Sequence, residues 1–159
     1  MPELRHLVRR GRSARELEIG RRDVALKWCH LWDTQDMEPL LALYHNDAAM
    51  HFPGGPQIPF GGTFRGKQEI RRAYEIAWST CRTEPGRGEG LSILVSNGTV
   101  VLQGRKGVYQ PDGDLVKLWC IQIFTFQGDR IMNHRVEYDT LTFARLMQFP
   151  PPADSESSR

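Results

Sequence analysis

The sequence predicts a single α+β domain: three N-terminal helices packed on a curved, mostly antiparallel sheet, closed by a C-terminal helix. Three observations predict it. Apolar residues recur at helical spacing through the first half of the chain, they fall in strand-length blocks through the second, and only one early strand interrupts the helical half. Helices and strands segregated in this way bury their apolar faces by laying the helices on one side of an antiparallel sheet. Curvature of that sheet leaves a cavity between the two layers.

Each element has its own signal. From about residue 13 to residue 32, Val24, Trp28, Leu31 and Trp32 share a helical face with Ala25 and Cys29 alongside, and Gly20 predicts a firm start only near Arg21. Asp36 stands where it can cap a short second helix. Pro39 suits that helix's first turn, and Leu40, Leu41 and Tyr44 form its buried stripe. A third helix follows Gly66, with Ile70, Ala73, Tyr74, Ala77 and Trp78 on one side. A short strand over 48–52 stops at Pro53-Gly54-Gly55. Strands over 91–95 and 99–103 flank Ser96-Asn97-Gly98, a hairpin signal because Asn-Gly accepts positive φ. The turn Gln110-Pro111-Asp112-Gly113 leads into a long strand over 117–126. Gln127-Gly128-Asp129 then turns into a last strand over 130–138, and 141–149 is amphipathic and helical.

The chain's 159 residues suit one domain with a full core, and apolar and charged contents are those of an ordinary globular protein. Residues 1–14 are expected to be a basic flexible leader, 15–149 the folded domain, and 150–159 a disordered tail. A net charge of only +2, with basic residues crowded into the leader, argues against a nucleic-acid partner. The sequence has neither a bilayer-length apolar run nor an apolar signal core at its start, so no membrane partner is expected. Three widely spaced cysteines without a CxxC pair exclude a disulfide framework or zinc site and predict a reducing cytoplasm. Phosphate-binding glycine loops, paired metal-ligand histidines and nucleophile elbows are absent, so no cofactor is expected.

The stretches LWDTQDMEPLLALYHNDAAMHFPGG, FRGKQEIRRAY and FTFQGDRIMNHRVEYDTLTFARLMQF resemble the SnoaL-like polyketide cyclase and ketosteroid-isomerase-like branch of the nuclear transport factor 2-like superfamily. The resemblance covers roughly residues 20–149. It implies a cystatin-like cone, with activities ranging from isomerase and cyclase to no catalysis, so activity has to be argued from the site. Ketosteroid isomerases resembling this chain would place a base at Phe52, a tyrosine at Trp28 and a neutral aspartate at Gln122. Limonene epoxide hydrolases would match Arg105 but place their aspartates at Gly107 and Val136. SnoaL-like cyclases imply an acid/base near Asp139.

Hairpin geometry brings candidate side chains together independently. A three-residue loop at Gln127-Gly128-Asp129 would pair Gln122 with His134, Cys120 with Val136 and Leu118 with Tyr138, with Phe124 and Met132 on the same face. That face is apolar with a few convergent polar groups, as small-molecule pockets are. His134 is a candidate acid/base because imidazole titrates near neutrality; the alternative is a core histidine satisfied by Gln122. Asp139 is either a proton carrier or the N-cap of the last helix, and Arg105 either a pocket cation or a surface residue. Trp28, Trp32, Phe52, Tyr74 and Trp78 are expected as core or pocket wall. Trp119, Ile121 and Ile123 fall on the opposite face, where an apolar patch predicts a homodimer. The predicted function is cofactor-independent acid/base chemistry on a hydrophobic small molecule of polyketide or terpenoid kind, with His134, Asp139, Gln122 and Arg105 as the set. A non-catalytic binding or dimerisation module and an epoxide hydrolase are the alternatives.

Overall fold

The computed structural model describes residues 11–151; the expectations for the leader's first ten residues and for the tail from residue 152 lie outside them. The elements follow as α1 (Ala14–Thr34), α2 (Met37–Ala42), β1 (Tyr44–Phe52), a 3-10 turn (Gly55–Gln57), β2 (Gly62–Arg65), α3 (Gly66–Thr80), β3 (Arg82–Thr83), β4 (Glu89–Ser96), β5 (Thr99–Tyr109), β6 (Leu115–Gln127), β7 (Arg130–Tyr138) and α4 (Thr140–Leu146). Four helices pack on a strongly curled, mostly antiparallel sheet.

Helix α1 begins seven residues before Arg21. A reciprocal capping box explains this: Ser13 Oγ accepts from the Glu16 amide at 3.2 Å, and Glu16 accepts from the Ser13 amide at 2.7 Å. Two satisfied donors outweigh the cost of about 1 kcal/mol for Gly20. Asp36 sits at the α2 N-cap position but makes no side-chain cap bond. Tyr44, expected on α2, instead opens β1 and is fully buried.

The sheet runs β2-β1-β7-β6-β5-β3, with β4 also on the β5 edge. Strand β7 lies in the middle because β1 pairs with it in parallel, joining the early strand to the end of the chain. Asn97 and Gly98, both at positive φ, close a two-residue β4–β5 turn between Ser96 and Thr99. The β6–β7 hairpin is tighter than the sequence predicted. Gln127 pairs with Arg130 across a two-residue turn, and a bulge between Asn133 and Ile131 absorbs the extra residue. The register therefore moves by two, giving Phe124 opposite His134, Gln122 opposite Val136 and Cys120 opposite Tyr138. An even shift keeps each side chain on its face. Met132 is the exception: the bulge takes it out of line, and Ile131, fully buried, fills its inward place.

Among the described residues no helix is long and apolar enough to cross a membrane.

Candidate functional site

Between the concave sheet face and α1 lies a cavity of about 130 Å³. A single water needs about 10–15 Å³ of such space and about 30 Å³ of liquid, so the cavity has room for roughly ten waters, or about 300 Å³ of ligand. That is the lower end of the range for small-molecule sites. Its walls are mainly apolar and aromatic: Trp28 and Trp32 from α1, Phe52 from β1, Phe60, and Phe143 from α4, closed by Leu118, Cys120, Val136 and Tyr138 of β6 and β7.

Polar groups reach this cavity at two levels. The first is an ion pair. Lys106 Nζ donates to Asp33 Oδ1 at 2.9 Å, and both side chains are largely buried, 23% and 10% exposed. Asp33 stands in the last turn of α1, where the helix dipole disfavours a carboxylate and no basic residue of the helix offsets it. Lys106 and the Gly86 amide, which donates to Asp33 Oδ2 at 2.8 Å, hold it there. The Lys106 ammonium also donates to the Gly86 carbonyl at 2.8 Å. Arg87 lines the cavity beside them, leaving one cation in excess at this level.

The second level is a neutral hydrogen-bonded chain ending at Gln122. Trp28 Nε1 donates to the Tyr74 hydroxyl at 2.9 Å. The hydroxyls of Tyr74 and Tyr44 are 2.5 Å apart, and Tyr44 lies 2.7 Å from His134 Nδ1. His134 Nε2 is 3.0 Å from Gln122 Oε1. The His134 ring stacks on Phe124 at 4.2 Å and meets the Trp28 edge at 4.7 Å. No carboxylate among the described residues bonds it, and burial pushes its pKa down to about 3, so the imidazole is neutral at physiological pH. Burial likewise pushes Tyr74 and Tyr44 well above the usual phenol range. The Tyr138 hydroxyl is buried in the wall without a protein partner among the described residues.

The strands place the predicted residues as follows. Gln122, Trp28, Trp32, Phe52, Leu118, Cys120, Val136 and Tyr138 line the cavity. Phe124, Tyr74 and Trp78 do not: Phe124 and Tyr74 are sealed in the core, and Trp78 packs behind Trp32 and Tyr74. His134 is 1% exposed and reaches the cavity only through Gln122. Arg105 is exposed on the outer sheet face opposite Trp119, because strand alternation gives the inner face to Lys106. Asp139 caps α4, accepting from the Thr142 amide at 3.0 Å and its hydroxyl at 2.7 Å; those bonds hold its carboxyl below the usual range. Met132 does not line the cavity, for the reason given by the bulge.

Sequence reasoning missed Asp33 and Lys106. Registering the β5–β6 hairpin from its turn would have found Lys106, since Tyr109 pairs with Leu115, which sets Lys106 beside Leu118 and Arg105 beside Trp119. Cys29 and Cys81 also face the cavity with Cys120; burial raises their thiols to about 11 for Cys29 and about 12 for the other two. Among the described residues no cluster of three or more His, Cys, Asp or Glu is arranged to hold a metal ion.

A cone of this kind, with helices over a strongly curled sheet, is the nuclear transport factor 2-like fold. The family follows from the sequence itself: residues 25–134 match the SnoaL-like domain, and the chain belongs to that family. Solved structures share the fold. A nuclear transport factor 2-like protein of Burkholderia pseudomallei is 19% identical over 80% of this chain and 97% of its own, with a TM-score of 0.70. TerC, co-crystallised with polyporic acid, is 20% identical over 81% and 98%, with a TM-score of 0.70. A candidate polyketide cyclase of Sinorhizobium meliloti is 18% identical over 72% and 94%, with a TM-score of 0.58. No curated protein matches the chain in sequence.

Proposed function

We propose that this protein is a cofactor-independent enzyme of the isomerase or cyclase kind, moving a proton next to a carbonyl in an apolar, multi-ring small molecule. One observation carries the reading: a carboxylate and an ammonium 2.9 Å apart face a mainly apolar cavity. Asp33 would take the proton from carbon, and the bonding pair would move onto the carbonyl oxygen as an enolate beside Lys106. Returning the proton to a different carbon completes an isomerisation; attack of the enolate carbon on a second carbonyl, whose oxygen takes the proton back from Asp33, completes a cyclisation. Local sequence logic supports a functional reading of Asp33, since it breaks the helix-dipole rule with no gain to the helix. Gln122 pairs with Leu102 and Lys106 with Leu118, so the two polar levels are four residues apart along the strand, roughly 13 Å. A molecule touching both is elongated and oxygenated at two ends. The excess cation favours an acidic one.

The test is deuterium exchange into 4,4′-diacetylbiphenyl, an aryl ketone oxygenated at both ends, followed by mass spectrometry, with binding read from tryptophan fluorescence. Wild type is expected to accelerate exchange, and Asp33→Asn to lose about 100-fold of that rate while still binding. Ketone binding with no acceleration in wild type would overturn the enzyme reading and leave a binding module, for which the sealed, neutral His134 is the supporting observation. We also propose that a second copy of the chain covers the outer face around Trp119 and Ile121, which are 60% and 36% exposed.

A further inference from the structure

The direction of the buried hydrogen-bond chain is fixed by counting protons. Its links join Trp28 to Tyr74, Tyr74 to Tyr44, Tyr44 to His134 and His134 to Gln122. Indole N–H can only donate, a phenol carries one proton, and a neutral imidazole carries one. Running outward from Trp28, the four protons of Trp28, Tyr74, Tyr44 and His134 fill the four links with none left over. That run puts the His134 proton on Nε2, donating to Gln122 Oε1, while Nδ1 accepts from Tyr44. Turning the Gln122 amide over would bring a fifth proton to the same four links. One phenol proton would then point at nothing, at tyrosines with no exposed surface. The carbonyl of Gln122 is therefore tied to His134, and its NH₂ group, which has no partner among the described residues, is the end left for the cavity that Gln122 lines.

We infer that Trp28, Tyr74, Tyr44 and His134 act together as a positioning device that presents the Gln122 NH₂ as a fixed donor, so that the inner end of the cavity selects ligands carrying a carbonyl or enolate oxygen there. This rests on the cavity being the ligand site, as proposed above, and adds which chemical group the inner end recognises. A core without the chain would hold Gln122 in either orientation and accept donors and acceptors alike. Neutrality of His134 is part of the device, because a charged imidazole would donate from both nitrogens and turn Tyr44 around. Among the described residues no charged side chain is bonded to any member, so none competes with the direction set by Trp28.

Two measurements test it. In ¹⁵N-labelled wild-type protein at neutral pH, with the signal assigned by its loss in His134→Gln, His134 is expected as the neutral tautomer protonated on Nε2 alone. A proton on Nδ1, or on both nitrogens, would overturn the inference without reference to any ligand. The second compares 1-tetralone with tetralin, which has the same rings and no oxygen. Gln122→Leu is expected to weaken the ketone about tenfold, the worth of one hydrogen bond, and to leave tetralin within about twofold. Tyr44→Phe is expected to shrink the ketone preference without changing tetralin affinity, and to mix the His134 tautomers. An unchanged preference in Gln122→Leu, or in a folded Tyr44→Phe, would overturn it; if Tyr44→Phe does not fold, the wild-type tautomer decides. Failure of deuterium exchange with these results intact would remove the enzyme reading and leave the positioning device standing.

Discussion

Acidification should unfold this protein through His134, and the size of the effect follows from its burial. The imidazole has an ordinary pKa of 6.5 and one of about 3 in the folded chain. A base depressed by folding binds a proton in the unfolded state before it does in the native state. Its contribution to stability is therefore complete above about pH 6.5 and is lost as pH falls toward 3. Between those limits the loss is about 1.4 kcal/mol per pH unit, so at pH 4.5 it amounts to roughly 3 kcal/mol. Against a typical 5–15 kcal/mol of total stability that is a large fraction. The assay is urea denaturation followed by tryptophan fluorescence at half-unit intervals from pH 7.5 to 4.5, on wild type and His134→Gln. Exposed histidines and carboxylates titrate in both proteins and cancel in the difference. The variant is expected to be weaker at pH 7.5, because it breaks the links to Tyr44 and Gln122, and to lose less stability on acidification. Parallel curves across the range would refute the reasoning, since they would mean that buried His134 accepts a proton as readily as a solvent-exposed imidazole does.

Three further outcomes are expected. Iodoacetamide should modify Cys29, Cys81 and Cys120 of the folded protein at pH 8 about a hundred- to a thousandfold more slowly than free thiols, because burial raises them from 9 to about 11 or 12; rapid native labelling would show that the cavity is open to water at those positions. Asp139→Ala should lower the melting temperature by removing the α4 cap, while 1-tetralone binding stays unchanged. Trp119→Lys should shift the sedimentation of the protein from dimer to monomer without altering its far-ultraviolet dichroism, and an unchanged sedimentation coefficient would free the outer face from that role.

The helices, the long strands and the α+β layering were legible because each has a local cause: apolar spacing, Asn97-Gly98, Gly128, and the cap residue Asp139. What was not legible depends on contacts distant in sequence. Strands β2 and β3 are four and two residues long, too short for a periodic signal, and exist because β1 and β5 offer edges to pair with. The bulge that displaces Met132 follows from the tight turn two residues earlier, and a loop longer by one residue reads equally well from the letters. Apart from Met132, the inward and outward faces of β6 and β7 came out correctly because an even register error preserves them. Arg105 stayed open between pocket and surface, and Lys106 was not singled out, because adjacent residues of a strand differ only in parity and the β5–β6 register was never counted. Tyr44 and Tyr74 were visible as aromatic positions, but the chain they form with His134 needs α3, β1 and β7 in place together.

The central position of β7 also orders events in time. Strand β1 is complete by residue 52 but waits for residues 130–138 before its long edge finds a partner. During synthesis the first half of the molecule must therefore stand with an unpaired edge until almost the whole domain has left the ribosome. Pairings at such sequence distance are slow to form, in the millisecond-to-second range for sheet-dominated domains. The step that ends this wait brings Tyr44 to His134. Closure of the sheet and completion of the polar chain that sets Gln122 are thus one event, and a half-made domain has no half-made site.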